Sequence, residues 1–160
     1  MNTNSYIIVD LDGTLFNTSA RIHHIKPPVG IKKNWKAFFA GIPDDPLNSH
    51  VKEVVDLLSS KHRVILITGR PENTRNITLY KLDDHNVKFD ALLMRSDTDR
   101  RPDYEVKRDL FLNLGIPVEN VICAFEDRLQ VVSMWKNLGI PVFVCGDEYE
   151  NNPAFISSLT

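Results

Sequence analysis

Apolar residues in this chain fall into two rhythms that alternate from one end to the other. Short, nearly unbroken apolar runs predict strands over Tyr6–Val9, Arg63–Ile67, Ala91–Met94, Val121–Phe125 and Val142–Cys145. Such runs suit strands buried on both faces of a parallel sheet, because a strand with one wet face would alternate with polar residues. Between them apolar positions recur every three or four residues, as on a helix with one buried stripe. Leu47–Ser60 aligns Val51, Val54, Val55 and Leu58, with Asn48 or Ser49 as candidate caps. Glu72–Leu82 follows Pro71, a residue suited to a first helical turn. Tyr104–Leu114 presents Val106, Leu110 and Leu114, and Leu129–Leu138 presents Val132, Trp135 and Leu138. Strand and helix in alternation predict an α/β fold, a doubly wound parallel sheet.

Two features break the rhythm. Asn113-Leu-Gly-Ile-Pro-Val118 recurs as Asn137-Leu-Gly-Ile-Pro-Val142, a helix stop followed by a strand, used twice rather than a true repeat. Leu15–Pro46 is too long for a plain crossover and predicts a small helical cap inserted after the first strand.

Composition bounds the rest. The 160 residues fit a single domain, 1–160, able to bury a core without disulfides or structural metal. No apolar run approaches the ~20 residues that span a bilayer, and the polar start Met1–Ser5 is no leader, so no membrane association is expected. Cys123 and Cys145 lie in apolar runs and are expected as reduced, buried thiols, which fits a cytoplasmic setting. A net charge of −2 removes overall basicity as an argument for nucleic-acid binding. Yet Gly13–Pro43 holds no acidic residue and carries Arg21, Lys26, Lys32, Lys33 and Lys36 with Trp35, Phe38 and Phe39 among them. That stretch is either a solvated basic face or a surface laid over an anionic substrate.

The chemistry concentrates at strand ends. Tyr6–Val9 runs into Asp10-Leu-Asp12-Gly-Thr14. Residues two apart in extended chain share a side, so two carboxylates converge at the edge where open parallel sheets bind ligands. They could hold a divalent cation through oxygen and leave one carboxylate for chemistry. The second strand ends in Thr68-Gly-Arg-Pro71, offering a hydroxyl, a close backbone approach at Gly69 and a planar cation at Arg70 for a phosphate. Lys107 comes early on the helix after the third strand, and Glu126-Asp127 ends the fourth.

In this order the motifs resemble those of the haloacid dehalogenase-like phosphohydrolases. Arg95, Asp99–Lys107 and Glu126–Trp135 look most like the 3′-phosphatase domain of phage-type polynucleotide kinases. This chain holds no G-x-x-x-x-G-K-[ST] phosphate loop of a kinase half. The resemblance implies five strands in the order 5-4-1-2-3 and a phosphomonoesterase acting on a phosphorylated polynucleotide end or a nucleotide. It implies Mg²⁺ held by Asp10, the Asp12 carbonyl, Glu126 and Asp127. Asp10 would be the nucleophile, Asp12 the general acid and base, Thr68 the holder of phosphoryl oxygens and Lys107 the charge balance. Thr14, Gly69, Arg70, Arg95, Arg101 and Arg128 would meet the substrate. Glu126 departs from the usual aspartate and leaves the closer metal ligand of the pair open. The site would be cytoplasmic, in a host cell if phage-encoded, and no protein partner is predicted. A phosphatase of mononucleotides or other small phosphomonoesters is the rival, and a phosphate-end binding module the non-enzymatic one. A phospho-accepting receiver domain fits poorly, because the third strand ends at Met94-Arg95 with no acceptor aspartate.

Overall fold

A computed structural model describes residues 5–146; the rest of the polar start and residues 147–160 of the expected domain lie outside it. The sheet has five parallel strands: β1 (Tyr6–Val9), β2 (Arg63–Pro71), β3 (Ala91–Arg95), β4 (Val121–Glu126) and β5 (Val142–Val144). Their spatial order is β3-β2-β1-β4-β5, the expected order counted from the other edge. β1 is central and its apolar run serves both faces. Ile7 and Val9 join a core with Val51, Val55, Leu66 and Leu82, while Ile8 joins Ile65, Ile67, Phe111, Met134 and Trp135 on the other side. Helices α2 (Ser49–Ser59) and α3 (Arg75–Asp84) cover the first face, and α4 (Asp103–Leu112) and α5 (Leu129–Asn137) the second.

Expected boundaries shift where the ends carry the site. β2 runs on to Pro71 because Pro71 pairs with Arg95 beyond a register shift, so the Thr68–Pro71 turn is still sheet. Glu72–Thr74 then makes a 3₁₀ turn, and α3 starts only at Arg75. Asn48 sits at the start of α2, but its side-chain amide donates to the Thr14 carbonyl (2.7 Å) instead of capping the helix. Leu114, expected inside, is more than a third exposed; Phe111 fills that core position. Gly115 and Gly139 both take positive φ, as the twice-used helix stop requires.

The 15–46 insertion carries two 3₁₀ turns, Ile22–His24 and Ile42–Asp44, and one short helix, α1 (Trp35–Ala40), capped by the Asn34 side chain on the Ala37 N–H (3.0 Å). Its stem is closed by backbone hydrogen bonds, Asn17 N–H to Pro46 O and Asn48 N–H to Leu15 O, both 2.8 Å. The insertion is therefore a loop pinned at its base beside the end of β1. No helix among the described residues is long and apolar enough to cross a membrane.

Candidate active site

β2 lies on one side of β1 and β4 on the other, so the crevice at the carboxyl edge opens where connections diverge. Asp10 continues β1, its N–H bonded to Phe125 O (3.0 Å). Its carboxylate is buried, not solvent-facing: one oxygen accepts from Thr14 Oγ1 (3.0 Å), the other from Lys107 Nζ (2.7 Å). Lys107, early on α4, is also buried and reaches Glu126 Oε2 at 2.8 Å. A buried ammonium is tolerable only with such partners. Burial works against its charge, but Asp10, Asp103 and Glu126 win and raise its affinity for the proton well above the ordinary lysine value.

Oxygens of Asp10, Glu126 and Asp127 all lie within 4.8 Å of one another. Three carboxylates facing one ammonium leave a formal charge of −2 in a dry place. Burial first, then Glu126, push Asp10 up to about 7 against the pull of Lys107. Burial, then Asp10 and Glu126, push Asp127 up to about 10. Asp127 Oδ1 is buried with no hydrogen-bond partner, whereas Glu126 Oε1 accepts from the N–H groups of Asp127 (3.2 Å) and Arg128 (3.3 Å). Gly13 (φ +86) is required beside it, since a Cβ there would stand 2.1 Å from Asp127 Oδ2. This donor set of oxygens, short of two positive charges and with one orphaned buried oxygen, fits a divalent cation such as Mg²⁺. Such an ion would supply the charge that lets a phosphate dianion approach Asp10.

Asp12 lives in the opposite environment. Its Oδ1 accepts from Arg70 Nη2 (2.6 Å), Arg70 Nε (3.0 Å) and Arg21 Nη2 (2.6 Å). Burial opposes ionisation, but the Arg70 and Arg21 guanidiniums outweigh it and hold Asp12 below the ordinary carboxylate range. Arg21 also clasps the buried Asp45, donates to Phe38 O (3.1 Å) and lies 4.0 Å over the Phe38 ring. Asp45 comes within 3.7 Å of Arg70, completing a quartet of two acids and two guanidiniums with no net charge.

Arg70 is thus placed differently from the sequence expectation. It is buried on Asp12 and on Thr78 Oγ1 (3.1 Å), not directed at the cleft as a phosphate ligand. Thr14 spends its hydroxyl on Asp10. Arg95 staples the β3–α4 loop, donating to Gly69 O (3.1 Å), Asp99 O (3.3 Å), Arg101 O (2.7 Å) and Asp103 Oδ1 (3.1 Å). Arg101 stands at the rim, paired with Asp99 and Asp109. Arg128 is half exposed, 3.6 Å from Asp103. Thr68 is buried at the floor with Oγ1 accepting the Arg70 N–H (3.1 Å), and Gly69 leaves room for Asp103, whose Oδ1 a Cβ would meet at 2.2 Å.

Three residues of this constellation were not singled out from the sequence: Arg21, Asp45 and Asp103. The signals were faint, an arginine in an acid-free stretch, the acids that end that stretch, and an aspartate opening α4. A cavity of about 510 Å³ lies over the site, with Asp10, Asp12, Thr68 and Asp127 on its sheet side and Trp35 and Phe39 on its cap side.

The sheet order and this site define a haloacid dehalogenase-like phosphatase. A haloacid dehalogenase-like protein of Streptococcus pneumoniae superposes with a TM-score of 0.66 over 99% of both chains, at 16% identity, a likeness of fold alone. Residues 4–148 match the polynucleotide kinase PNKP phosphatase domain, and the chain belongs to that family of phosphoric monoester hydrolases. A protein of Autographa californica nuclear polyhedrosis virus, assigned as a bifunctional polynucleotide kinase/RNA ligase, is 30% identical over 149 residues, 90% of this chain and 20% of its own length. A chain of the Pnkp1/Rnl/Hen1 RNA repair complex is 31% identical with a TM-score of 0.75, over 92% of this chain and 44% of that one. This chain therefore spans a fifth to under half of these relatives.

Proposed function

We propose that this domain removes the phosphate from the 3′ end of a polynucleotide, with Mg²⁺, through an aspartyl-phosphate on Asp10. The observation that carries it is Asp10 fixed between Thr14 and Lys107 beside an under-neutralised acid pair. A nucleophilic carboxylate must be immobile, ionised and shielded from the phosphate's charge at once. The Asp10 oxygen not held by Lys107 attacks phosphorus as the bond to the 3′ oxygen breaks. Asp12, ionised at rest, takes up a proton as the anionic phosphate enters, gives it to that oxygen, then takes one from the water that attacks phosphorus and frees Asp10 and inorganic phosphate. For this Asp12 must turn its second oxygen to the leaving group, since both guanidiniums converge on Oδ1. Thr68 and the Gly69 N–H hold phosphoryl oxygens, and Arg101 and Arg128 at the rim meet the flanking phosphate. Asp127, with its orphaned oxygen, would hold the metal directly beside Asp10; Glu126, occupied by Lys107 and two amides, would support it from behind.

The relatives' descriptions as a polynucleotide kinase/RNA ligase and as part of an RNA repair complex support a strand-end substrate, and with it a role in nucleic-acid repair. The deciding experiment is phosphate release from matched 3′-phosphate oligonucleotides, 5′-phosphate oligonucleotides and free nucleotides, with and without Mg²⁺. The 3′ ends should be preferred and Mg²⁺ required. Equal rates on free nucleotides would favour the small phosphomonoester reading.

A further inference from the structure

We infer that the cap's Trp35 is the platform on which the base of the 3′-terminal nucleotide stacks, so that the enzyme reads a base-bearing end and not merely a phosphate. This rests on the strand-end function proposed above and names what recognises that end. Trp35 is 45% exposed, unlike the chain's other tryptophan, Trp135, which is buried. It is not a loose surface side chain. Its ring lies nearly parallel to Phe39 (5.8 Å, 23°) and meets the Phe38 ring edge-on (5.9 Å, 90°). Two aromatic neighbours hold the indole in one plane while leaving much of it wet, at the wall of the same cavity that Asp10 and Asp12 floor. At about 510 Å³ that cavity suits one nucleotide, not a duplex end.

The charge around the ring fits the same occupant. Lys33 lies over Trp35 at 5.8 Å, near the outer limit of a useful cation–π contact, and lines the cavity with Arg100, Arg101 and Arg128. An aromatic plane with a lysine over it, in a cavity whose wall arginines share, is suited to a base attached to phosphates. A base arriving on the indole displaces the weakly held ammonium toward the next phosphate along the strand. The platform is also joined to the chemistry. Phe38, against the Trp35 edge, lies under Arg21, which in turn grips Asp12. Of the three rings, Phe38 is buried beneath Arg21 and Phe39 is partly covered, and Trp35 is the one that is exposed.

The test compares a 3′-phosphate oligonucleotide with the same oligonucleotide ending in an abasic 3′-phosphate sugar. Wild type should favour the base-bearing end in kcat/KM by about 5- to 150-fold, the span that base–aromatic stacking supplies. Trp35→Ala should erase that preference and Trp35→Phe should keep most of it. In Asp10→Asn, too slow to consume the end during a titration, the base-bearing end should quench Trp35 fluorescence more than the abasic end, while buried Trp135 gives a constant background. A preference that survives Trp35→Ala, or a wild type with no preference and no differential quenching, overturns the inference. Failure of the strand-end reading looks different: wild type would then remove 5′-phosphates as readily as 3′-phosphates, whatever base is present.

Discussion

Asp10 and Asp12, two residues apart at the end of one strand, are driven in opposite directions by their surroundings. Asp10 is pushed up to about 7 by burial and by Glu126, whereas Asp12 is held below its ordinary value because Arg70 and Arg21 outweigh its burial. The strand's period puts both on one edge, but the partners come from elsewhere: Lys107 from α4, Arg70 from β2 and Arg21 from the cap. A pair of like groups split in this way is what division of catalytic labour requires. The one lacking counter-charge calls for a metal, and the one rich in it stays ionised until a substrate changes the balance.

Asp12→Asn should depend on the leaving group. A nucleoside 3′-oxygen needs a proton to depart and p-nitrophenolate does not. The variant should lose about 10²–10⁴-fold on the nucleotide end and far less on p-nitrophenyl phosphate. Measuring kcat on both substrates checks this; equal losses would reduce Asp12 to a structural or metal-positioning role.

Arg70→Ala should copy that pattern instead of behaving as the loss of a phosphate ligand. Its guanidinium holds Asp12, so kcat on the poor leaving group should fall more than KM rises. Breaking a buried ion cluster from one side should also cost about 3–5 kcal/mol of stability, read from denaturant unfolding. A variant with normal kcat and a raised KM for every phosphate ester would restore Arg70 to the phosphate-binding role expected from its motif.

The end of β1 and the order of the motifs were legible because local pattern carries them, whereas the strand order came only from the family resemblance that those motifs support. An unbroken apolar run marks a two-faced strand wherever it sits, and turn residues after it mark the edge. The helix-start shift at Arg75 and the exposure of Leu114 were not legible, since they follow from a β2 register shift and from packing around Phe111. Nothing in the local pattern around Lys107, which follows Glu105 and precedes Arg108, marks it as buried; the fold places it between Asp10 and Glu126. The Arg21–Asp45–Arg70–Asp12 quartet needs the cap folded back on the sheet, a contact between residues up to 58 positions apart. No short-range pattern encodes it.

Metal dependence carries a sign that can be checked against pH. A carboxyl whose folded pKa is raised keeps its proton when the unfolded chain has lost it, so stability falls with rising pH across that interval. For Asp10 the window runs from the ordinary 3.8 to about 7, and Asp127, raised to about 10, extends it upward. Metal-free protein should therefore lose thermal stability from pH 4 through neutrality. Mg²⁺ competes with those same protons, so the rise in Tm that it produces should grow over the same range. A Mg²⁺ increment independent of pH would show that the ion does not bind these carboxylates.

The most direct test of the account is acid-quenched single turnover with an oligonucleotide whose 3′-phosphate is radiolabelled. The label should pass transiently to the protein, map to the peptide bearing Asp10 and vanish in Asp10→Asn, which should turn over at least about 10³-fold more slowly. That variant should stay folded, because the amide keeps the shape of the carboxyl while Lys107 retains Glu126. Label on another residue, or Asp10→Asn protein working near the wild-type rate, would contradict the mechanism at its centre.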